Sequence, residues 1–506
     1  MVTTDANHRL DPPHRAYSNI AGPITEEDYV AFRNYYAAPG GSNQAAGTLT
    51  EPFATPQRAA EAARPGDTVV LRAGTYDSAS GSATVPVLLI APGAGGLEGY
   101  PVTIRAADGE RVVFDGRAGT TRELVQVQAN YVDIEGLELT GAKRTALVVM
   151  YAGDGTHHVN VLLCHAHHND YEATWIGGAF RTVGPVQHVV FEDCLSHNNS
   201  IGFELRENPP QTAATAQVPP AAGNTGYPQG LPESEWDTWP GWTEYAARYC
   251  VIRRCIAFDN RLLDEHSDGI GSRYAIECVI EDNIAFRNGD DNYDELGATR
   301  CTVRNNIGFA ANPYATPDGD GNGMKIGVRG GLDNRVYHNV LFDNPRAGID
   351  MADTERAQIY NNTCFNNGWF GLWIEGVRAC TGGARVLNNI CNANTQGDIG
   401  ALPACSIVHL DYNCVSDANN HNWARPAGPN GFVGMTAGFA NPQMTIDTEF
   451  PPGLTIPQRL AYVRDQVHSK LRLKIGCLCV DSGAEIPGVT EGYLGQGPDR
   501  GGIESH

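Results

Sequence analysis

The chain has 506 residues, of which 42% are hydrophobic, so it can bury a core and is not a disordered protein. It carries 58 acidic residues against 36 lysines and arginines, and this acidic balance repels nucleic acid because no basic cluster offsets it. No run of apolar residues is long enough to predict a membrane-spanning helix, and we expect neither a nucleic-acid nor a membrane partner.

The N-terminal part of the chain predicts an extension followed by a short helix. Residues 1–45 show no clear element and are expected to pack along the side of the fold. Residues 51–76, EPFATPQRAAEAARPGDTVVLRAGTY, predict an amphipathic helix, a Pro-Gly-Asp turn and a strand. Thr55 is the expected N-cap, and Pro56 suits the first helical position because its missing N–H needs no partner there. We expect this helix to cover the N-terminal end of a repeat stack.

A histidine-rich segment, HAHHND (165–170), contains residues of a type that often binds zinc. No Cys or Glu partner lies at the usual sequence spacing, and His and Asn suit tight turns. We therefore interpret these residues as turn positions.

The central tract contains an internal repeat in which short β-rich runs are followed by asparagine. The aligned segments are RRCIAFDN (253–260), EDNIAFRN (281–288), RNNIGFAAN (304–312), YHNVLFDN (337–344), YNNTCFNN (360–367) and LNNICNAN (387–394). Their third column contains Cys255, Asn283, Asn306, Asn339, Asn362 and Asn389. A repeat of about 23 residues is too short for a βαβ unit and suits one coil of a β-solenoid. Stacked inward asparagines can bond to one another along the stack, which satisfies their buried amides.

The predicted fold is therefore all-β: a right-handed parallel β-helix, or β-solenoid, with an N-terminal capping helix. We expect the β-helix to cover residues 46–440, interrupted by a long loop rich in Pro, Gly and Trp at 207–247. Residues 441–506 lose the period and are expected to form a segment that caps or flanks the C-terminal part.

Three consecutive coils carry dense polar segments: HSDGIG (266–271), GDDNYDEL (289–296) and DGDGNGMKIG (318–327). On the repeat alignment one column contains Asp268, Asp291 and Asn322, and a neighbouring column contains Gly271, Asp294, Lys325, Asp350 and Trp373. Asp268, Asp290, Asp291 and Asp294 thus crowd onto two adjacent coils. Each could be an ordinary turn residue, but together they would raise one another's pKa values. A hard divalent cation relieves that repulsion, and Ca²⁺ is the expected ligand.

Lys325 is the only lysine in the asparagine-rich repeat tract, and it lies among glycines that would let a polymer approach the backbone. A lysine acts as a base only when it is neutral, so its pKa must be lowered by burial or by nearby positive charge. A calcium ion one coil away could supply that charge. The alternative is a solvated lysine paired with Asp350, which would instead raise its pKa.

The sequence resembles the family-nine polysaccharide lyases, the pectate lyases and related enzymes, in the motifs SDG, DD-x-YD and GNG-x-K-x-G on successive coils. The motifs lie within residues 267–327, and the architectural resemblance spans about residues 46–420. It implies that Asp268, Asp290, Asp291 and Asp294 bind calcium and that Lys325 is the base. Two positions depart from the family pattern, which often has glycine where Asn292 and Val328 stand here. These departures leave the substrate open.

The implied reaction is β-elimination at a 4-linked uronate polymer, with pectate favoured. Arg329 could bind a substrate carboxylate with its guanidinium group, although such an arginine is often only a surface residue. The partner is an acidic polysaccharide, and a monomer is the default expectation. We expect a secreted or periplasmic protein, because polymers are degraded outside the cell; the first residues lack the pattern of a signal peptide, which would then be absent from this sequence.

Three alternatives remain on the same fold. A hydrolase would use paired carboxylates as acid and base. A uronate epimerase would abstract the same proton without breaking the chain. A non-catalytic carbohydrate-binding or adhesin module would explain the repeat but not the aspartates beside Lys325.

Overall fold

Parallel strands dominate the protein in a computed structural model. It describes residues 32–78, 84–153, 155–170, 177–206, 245–261, 267–312, 319–327, 331–376, 383–402, 405, 407–416 and 427–504. Within these ranges 37 strands form three long sheets, in which each strand pairs in parallel with strands from the preceding and following coils. This arrangement is the parallel β-helix predicted from the repeat.

The first sheet has 13 strands in the described part of the chain. They are β1 (Asn34–Ala37), β2 (Thr68–Leu71), β5 (Val102–Ala106), β8 (Val132–Glu135), β11 (His157–Leu162), β14 (Gln187–Glu192), β17 (Val251–Arg253), β20 (Val279–Glu281), β23 (Thr302–Arg304), β26 (Arg335–Tyr337), β29 (Gln358–Tyr360), β32 (Ala384–Leu387) and β35 (Ile407–Asp411).

The second sheet has 11 strands among the described residues. They are β4 (Leu88–Ile90), β7 (Glu123–Val127), β10 (Thr145–Met150), β13 (Gly178–Val183), β16 (Phe203–Arg206), β19 (Ile270–Arg273), β22 (Tyr293–Leu296), β25 (Met324–Gly327), β28 (Ile349–Ala352), β31 (Phe370–Glu375) and β34 (Gly397–Ala401).

The third sheet again has 13 strands in the described ranges. They are β3 (Gly74–Tyr76), β6 (Val112–Asp115), β9 (Leu137–Thr140), β12 (His165–His167), β15 (Leu195–His197), β18 (Ile256–Phe258), β21 (Ile284–Phe286), β24 (Ile307–Phe309), β27 (Val340–Phe342), β30 (Thr363–Phe365), β33 (Ile390–Asn392), β36 (Cys414–Val415) and β37 (Phe432–Val433).

The asparagine column of the sequence is a continuous buried ladder inside the stack. Each side-chain amide donates to the side-chain oxygen of the next coil, with a distance of 3.1 Å from Asn283 to Asn306 and 3.0 Å from Asn306 to Asn339. The residue before each ladder position adopts a left-handed conformation, as in Asp282 (φ 59°) and Asn305 (φ 57°). A tight turn therefore follows each strand of the first sheet, and the ladder satisfies the amides that this turn buries.

The N-terminal end of the described stack is covered by a helix. Helix α1 (Pro56–Ala62) starts at Thr55, whose side chain accepts a hydrogen bond from the Arg58 amide, and it packs against β1, β2 and β4. The prediction of a capping helix here is therefore confirmed. Strand β1 lies within the expected extension 1–45 and pairs with β2, so the first sheet begins before residue 46.

The C-terminal segment covers the outer face of the third sheet. Helix α2 (Ile456–Leu471) begins with a capping box at Thr455 and buries Leu460, Val463 and Val467 against that face. Neither helix of the described residues is long and apolar enough to span a membrane. Nearly all of the loop expected at 207–247 lies outside the described residues; the stack resumes with β17.

Candidate active site

Lys325 lies on the second sheet, in the column predicted from the repeat spacing. On β25 it is paired with Asp294 of β22 on one side and with Asp350 of β28 on the other. The column continues to Gly271 in one direction and to Trp373 in the other. The Lys325 side chain is 19% exposed, while its neighbours along the strand are buried. The amine therefore points away from the core, toward the outer face of the sheet.

Three of the four predicted calcium ligands converge beside this lysine. Asp268, Asp290 and Asp291 each offer a carboxylate oxygen, and these oxygens lie within 4.8 Å of one another. They occupy the turns that lead into β19 and β22. Asp294 follows on β22, and its charge is the largest cause, after burial, of the raised pKa of Asp268. The four carboxylates therefore act on one another electrostatically.

Each aspartate of these turns accepts, through one carboxylate oxygen, a hydrogen bond from the backbone of the next coil. Asp268 Oδ1 accepts a hydrogen bond from the Asp291 amide at 3.3 Å, and Asp291 Oδ1 accepts one from the Asn322 amide at 2.6 Å. Asp290 Oδ1 accepts one from the Asp320 amide at 2.5 Å. Asp291 Oδ2 is buried and accepts no hydrogen bond from the described residues. One oxygen of Asp291 is thus structural, and the other remains available to a ligand.

The electrostatics of this group favour a cation. Burial, followed by the charge of Asp290, raises the pKa of Asp291 well above its usual range. Burial also raises the pKa of Asp294 to about 6. Burial disfavours the ionised carboxylates, their mutual repulsion adds to this, and the charge of Lys325 compensates it only in part. A set of hard oxygen donors with an unpartnered buried oxygen fits Ca²⁺, which would be held by Asp268, Asp290, Asp291 and Asp294.

The carboxylate partner of Lys325 is Asp320, and not Asp350, which the alternative interpretation of the sequence paired with this lysine. Lys325 Nζ donates to Asp320 Oδ2 and lies 3.8 Å from Asp291 Oδ2. Burial opposes the charged amine, but the carboxylates of Asp291, Asp294 and Asp320 outweigh it, so the pKa of Lys325 is raised. Without a cation, the lysine is therefore held in its protonated form.

Sequence reasoning missed two charged residues of this site. Asp320 lies five residues before Lys325 in the same polar segment, and it also accepts a hydrogen bond from Arg346. The Arg346 guanidinium lies 5.2 Å from the centre of the Trp369 ring and is 34% exposed. Nothing in the repeat marked Arg346, because it lies in the turn before β28 and not on an aligned strand. Arg329, the predicted substrate contact, lies outside the described residues.

The glycines near Lys325 have a different role from the one predicted. A Cβ atom at Gly323 would lie 2.7 Å from the side-chain Nδ2 of Asn344, and one at Gly321 would lie 2.7 Å from Cγ of Pro345. The space beside these glycines is filled by the next coil. They allow close packing of coils and do not open room for a polymer.

Comparison with known proteins supports the same architecture. Residues 35–213 match the family described as "Pel9A-like, right handed beta helix region", and residues 245–414 match the "Right handed beta helix region" family. Pectate lyase PEL9 of Emericella nidulans is 22% identical over 442 residues, covering 85% of this chain and 93% of the relative. Pectate lyase L of Dickeya chrysanthemi is 23% identical over 415 residues, covering 78% and 82% respectively.

A solved structure shares the fold along most of the chain. The crystal structure of pectate lyase Pel9A superposes with a TM-score of 0.52 at 18% identity, covering 94% of this chain and 96% of that one. At this identity the likeness shows the fold alone, and that fold agrees with both family descriptions in being a right-handed parallel β-helix.

Proposed function

Because the chain is a family-nine pectate lyase-like right-handed parallel β-helix, we propose that it is a calcium-dependent polysaccharide lyase. Its substrate is a 4-linked uronate polymer, with pectate favoured, and the bond is cleaved by β-elimination. The observation that carries the proposal is the Lys325 amine, 3.8 Å from a buried Asp291 oxygen that has no hydrogen bond of its own.

The chain's own residues supply proton abstraction and substrate binding. Neutral Lys325 Nζ takes the proton from carbon 5 of the uronate. The electron pair of that C–H bond forms the double bond between carbons 4 and 5. The bond from carbon 4 to the glycosidic oxygen breaks, its electron pair stays on that oxygen, and the oxygen takes up a proton from water. Calcium held by the four aspartates would neutralise the carboxylates that raise the pKa of Lys325 and would polarise the substrate carboxylate.

Binding of a polyanion to this acidic chain needs local positive charge. Arg346 is partly exposed and, like Lys325, is paired with Asp320. We therefore assign it the binding of a carboxylate group of the substrate. Trp369 beneath its guanidinium offers a face on which a sugar ring can stack. Arg329 is a second proposed carboxylate partner.

The spacing of three of the aspartates favours a shared cation over the acid–base pair of a hydrolase. Glycosidases place their two carboxyl groups about 5–9.5 Å apart, so that water or a covalent intermediate fits between them. The three oxygens here lie within 4.8 Å of one another, which suits a shared cation better. An epimerase differs only in its product, so the assay must report chain cleavage.

The test measures the ultraviolet absorbance of unsaturated uronates released from polygalacturonate, alginate and glucuronan, with calcium and after chelation. We expect cleavage of one polymer that stops on chelation. Lys325→Ala should lower the rate at least about 100-fold, the size of a lost general base. Lys470→Ala, on the exposed side of α2, is the matched control and should retain activity. Cleavage without new absorbance, or an active Lys325→Ala variant, would contradict the proposal.

Localisation is part of the same proposal. The pectate lyase relatives support a secreted or periplasmic protein that meets its polymer outside the cell. Fractionation of the source organism into medium, periplasm and cytoplasm tests it directly.

A further inference from the structure

A second group of potential metal ligands lies on the third sheet, on a different face from Lys325. Glu138 on β9 is paired with His165 on β12, and His167 on β12 is paired with His197 on β15. All four side chains alternate with buried residues along their strands and therefore point to the outer face. Three consecutive coils bring together residues that are far apart in sequence.

The donor atoms of this group are close enough to share one ion. Glu138, His165 and His167 each offer a ligand atom, and these atoms lie within 4.8 Å of one another. The Nε2 atoms of His165 and His197 are 2.9 Å apart, and His167 Nε2 is 3.1 Å from Glu138 Oε1. Ligand atoms about 2.0–2.2 Å from a tetrahedral zinc ion are about 3.3 Å from one another, so only small side-chain movements are needed.

Neighbouring groups orient the imidazoles for metal binding. His197 Nδ1 lies 2.7 Å from Asn198 Oδ1, an acceptor, so Nδ1 carries the proton and Nε2 presents its lone pair to the group. In the absence of an ion His167 Nε2 donates to Glu138 Oε1, and His168 Nδ1, 2.9 Å from His167 Nδ1, can accept the ring proton from Nδ1 when Nε2 binds a metal instead. Metal-binding histidines commonly have such a partner on the second ring nitrogen.

The protonation states also suit a metal. Burial lowers the pKa of His165 to about 3 and that of His197 to about 4, so both rings are neutral near pH 7. The hydrogen bond from His167 lowers the pKa of Glu138 to about 2 and keeps this carboxylate ionised. His197 and Glu138 need lose no proton, whereas the proton on His165 Nε2, shared with His197 Nε2, must move to His165 Nδ1 when an ion binds.

We propose that Glu138, His165, His167 and His197 bind one divalent transition-metal ion, and that zinc fits this set of three imidazoles and one carboxylate best. The site would tie three coils together at the edge of the face covered by the C-terminal segment. The sequence interpretation missed it because Glu138 comes from the preceding coil, so no motif of neighbouring ligands exists.

A purely structural explanation accounts for only half of this group. The ring of His197 stacks on Phe258 at 5.0 Å, and Phe258 stacks on Phe286 at 5.0 Å, so His167 and His197 extend an aromatic ladder. Glu138 is not aromatic, and the His165 ring is tilted against the rings of His167 and His197, at 4.6 and 4.9 Å, instead of stacking on them. An aromatic ladder does not require the convergence of their donor atoms.

Arg111 provides a sharp test because it competes for the same carboxylate. Its guanidinium binds both oxygens of Glu138, at 2.7 and 2.5 Å, and its side chain is 74% exposed. An ion that uses Glu138 must displace this arginine, which can move into solvent. Arg111→Ala should therefore tighten zinc binding several-fold, an effect that a structural ladder does not predict.

The experiment titrates Zn²⁺ into the untagged full-length protein by calorimetry, in excess calcium so that the aspartate site is occupied. We expect one zinc per chain, a higher thermal midpoint with zinc, and the visible absorption of tetrahedral cobalt when Co²⁺ replaces it. His165→Asn and Glu138→Gln should each weaken binding at least tenfold with an unchanged circular dichroism spectrum. The double variant His158→Asn, His188→Asn removes a histidine pair elsewhere on the surface and should bind normally.

Absence of stoichiometric zinc binding would overturn the proposal, as would equal affinity in the wild type and Glu138→Gln. If His165→Asn does not fold, Glu138→Gln and Arg111→Ala still decide, since both change partly exposed side chains.

Discussion

Asn292 takes the place of a missing step in a buried amide ladder, and this role can be tested by a double-mutant cycle. A second asparagine ladder runs past β21 and β27, where Asn288 and Asn344 are members. Between them the ladder position is occupied by Ala311, whose amide donates to Asn344 Oδ1 at 3.2 Å. The side chain of Asn292, in the turn before β22, lies between Asn288 and Asn344 and supplies the amide that Ala311 lacks.

The structure gives the size of the effect. Asn292 accepts from Asn288 Nδ2 at 2.9 Å and donates to Phe309 O at 3.0 Å and to Asn344 Oδ1 at 3.2 Å. Each of these partners keeps another hydrogen bond, so we assign about 1 kcal/mol to each lost bond. Asn292→Ala should therefore lower the free energy of unfolding by about 3 kcal/mol.

The compensating change is Ala311→Asn, which restores an amide at the ladder position. In the wild type this change overpacks a site that Asn292 already fills and should destabilise by about 1–3 kcal/mol. In the Asn292→Ala background it should instead recover stability, because its amide can bond to Asn288 and Asn344. Two restored bonds at about 1 kcal/mol each, set against a cost of about 1–3 kcal/mol in the wild type, give a coupling of about 3–5 kcal/mol between the two substitutions.

Urea unfolding in chelator, followed by tryptophan fluorescence and circular dichroism, measures all four proteins without any contribution from calcium. Additive effects of the two substitutions would refute the reasoning. So would an Asn292→Ala variant as stable as the wild type.

Three further predictions follow from the same contacts. Asn339→Ala breaks the first ladder between Asn306 and Asn362 and should destabilise by about 2–4 kcal/mol in urea unfolding. Asn441→Ala changes an exposed side chain at a position without positive φ and should alter stability by less than about 0.5 kcal/mol. Burial, then the charge of Glu375, raises the pKa of Asp350 from 3.8 to about 7, so the native state holds a proton that the unfolded state releases. This contribution to stability should fall as the pH rises from about 4 to 7. Asp350→Asn should remove that slope when unfolding midpoints measured in chelator are compared across pH. Arg346→Ala should raise KM about tenfold with a smaller change in kcat. Arg356 pairs with Asp333 at an exposed position, and Arg356→Ala should leave both constants unchanged. An equal loss of kcat/KM in the two variants would contradict a substrate contact at Arg346.

The fold could be predicted because single residue types recur at the same position of successive coils. Inward asparagines recur once per coil, and the ladder from Asn283 to Asn389 has the order read from the alignment. The same alignment gave the pairing of Asp294 with Lys325, because strands of adjacent coils keep a fixed register. Thr55 and Pro56 marked the start of α1 through chemistry that depends only on local sequence.

The contacts around the lysine could not be predicted in the same way. Turns differ in length from coil to coil, so the alignment of strands does not determine which turn residues meet. Asp320 and Arg346 belong to such turns, and their contacts depend on coordinates. The pairing of Glu138 with His165 was missed for another reason: both lie on strands, β9 and β12, but the aligned repeat segments begin at residue 253 and do not include these coils.

The departure at Asn292 shows how fold and site share residues in this protein. Asp291 gives one oxygen to the next coil and keeps the other beside Lys325, and Asn292 gives its side chain to the ladder inside the stack. Consecutive residues of the turn before β22 thus serve the outer site and the inner ladder. Because Asp291 Oδ1 and the Asn292 amide are both fixed by backbone and ladder contacts, Asp291 Oδ2 is positioned before any ligand arrives. Rigid support of this kind lowers the free energy needed to organise a binding site.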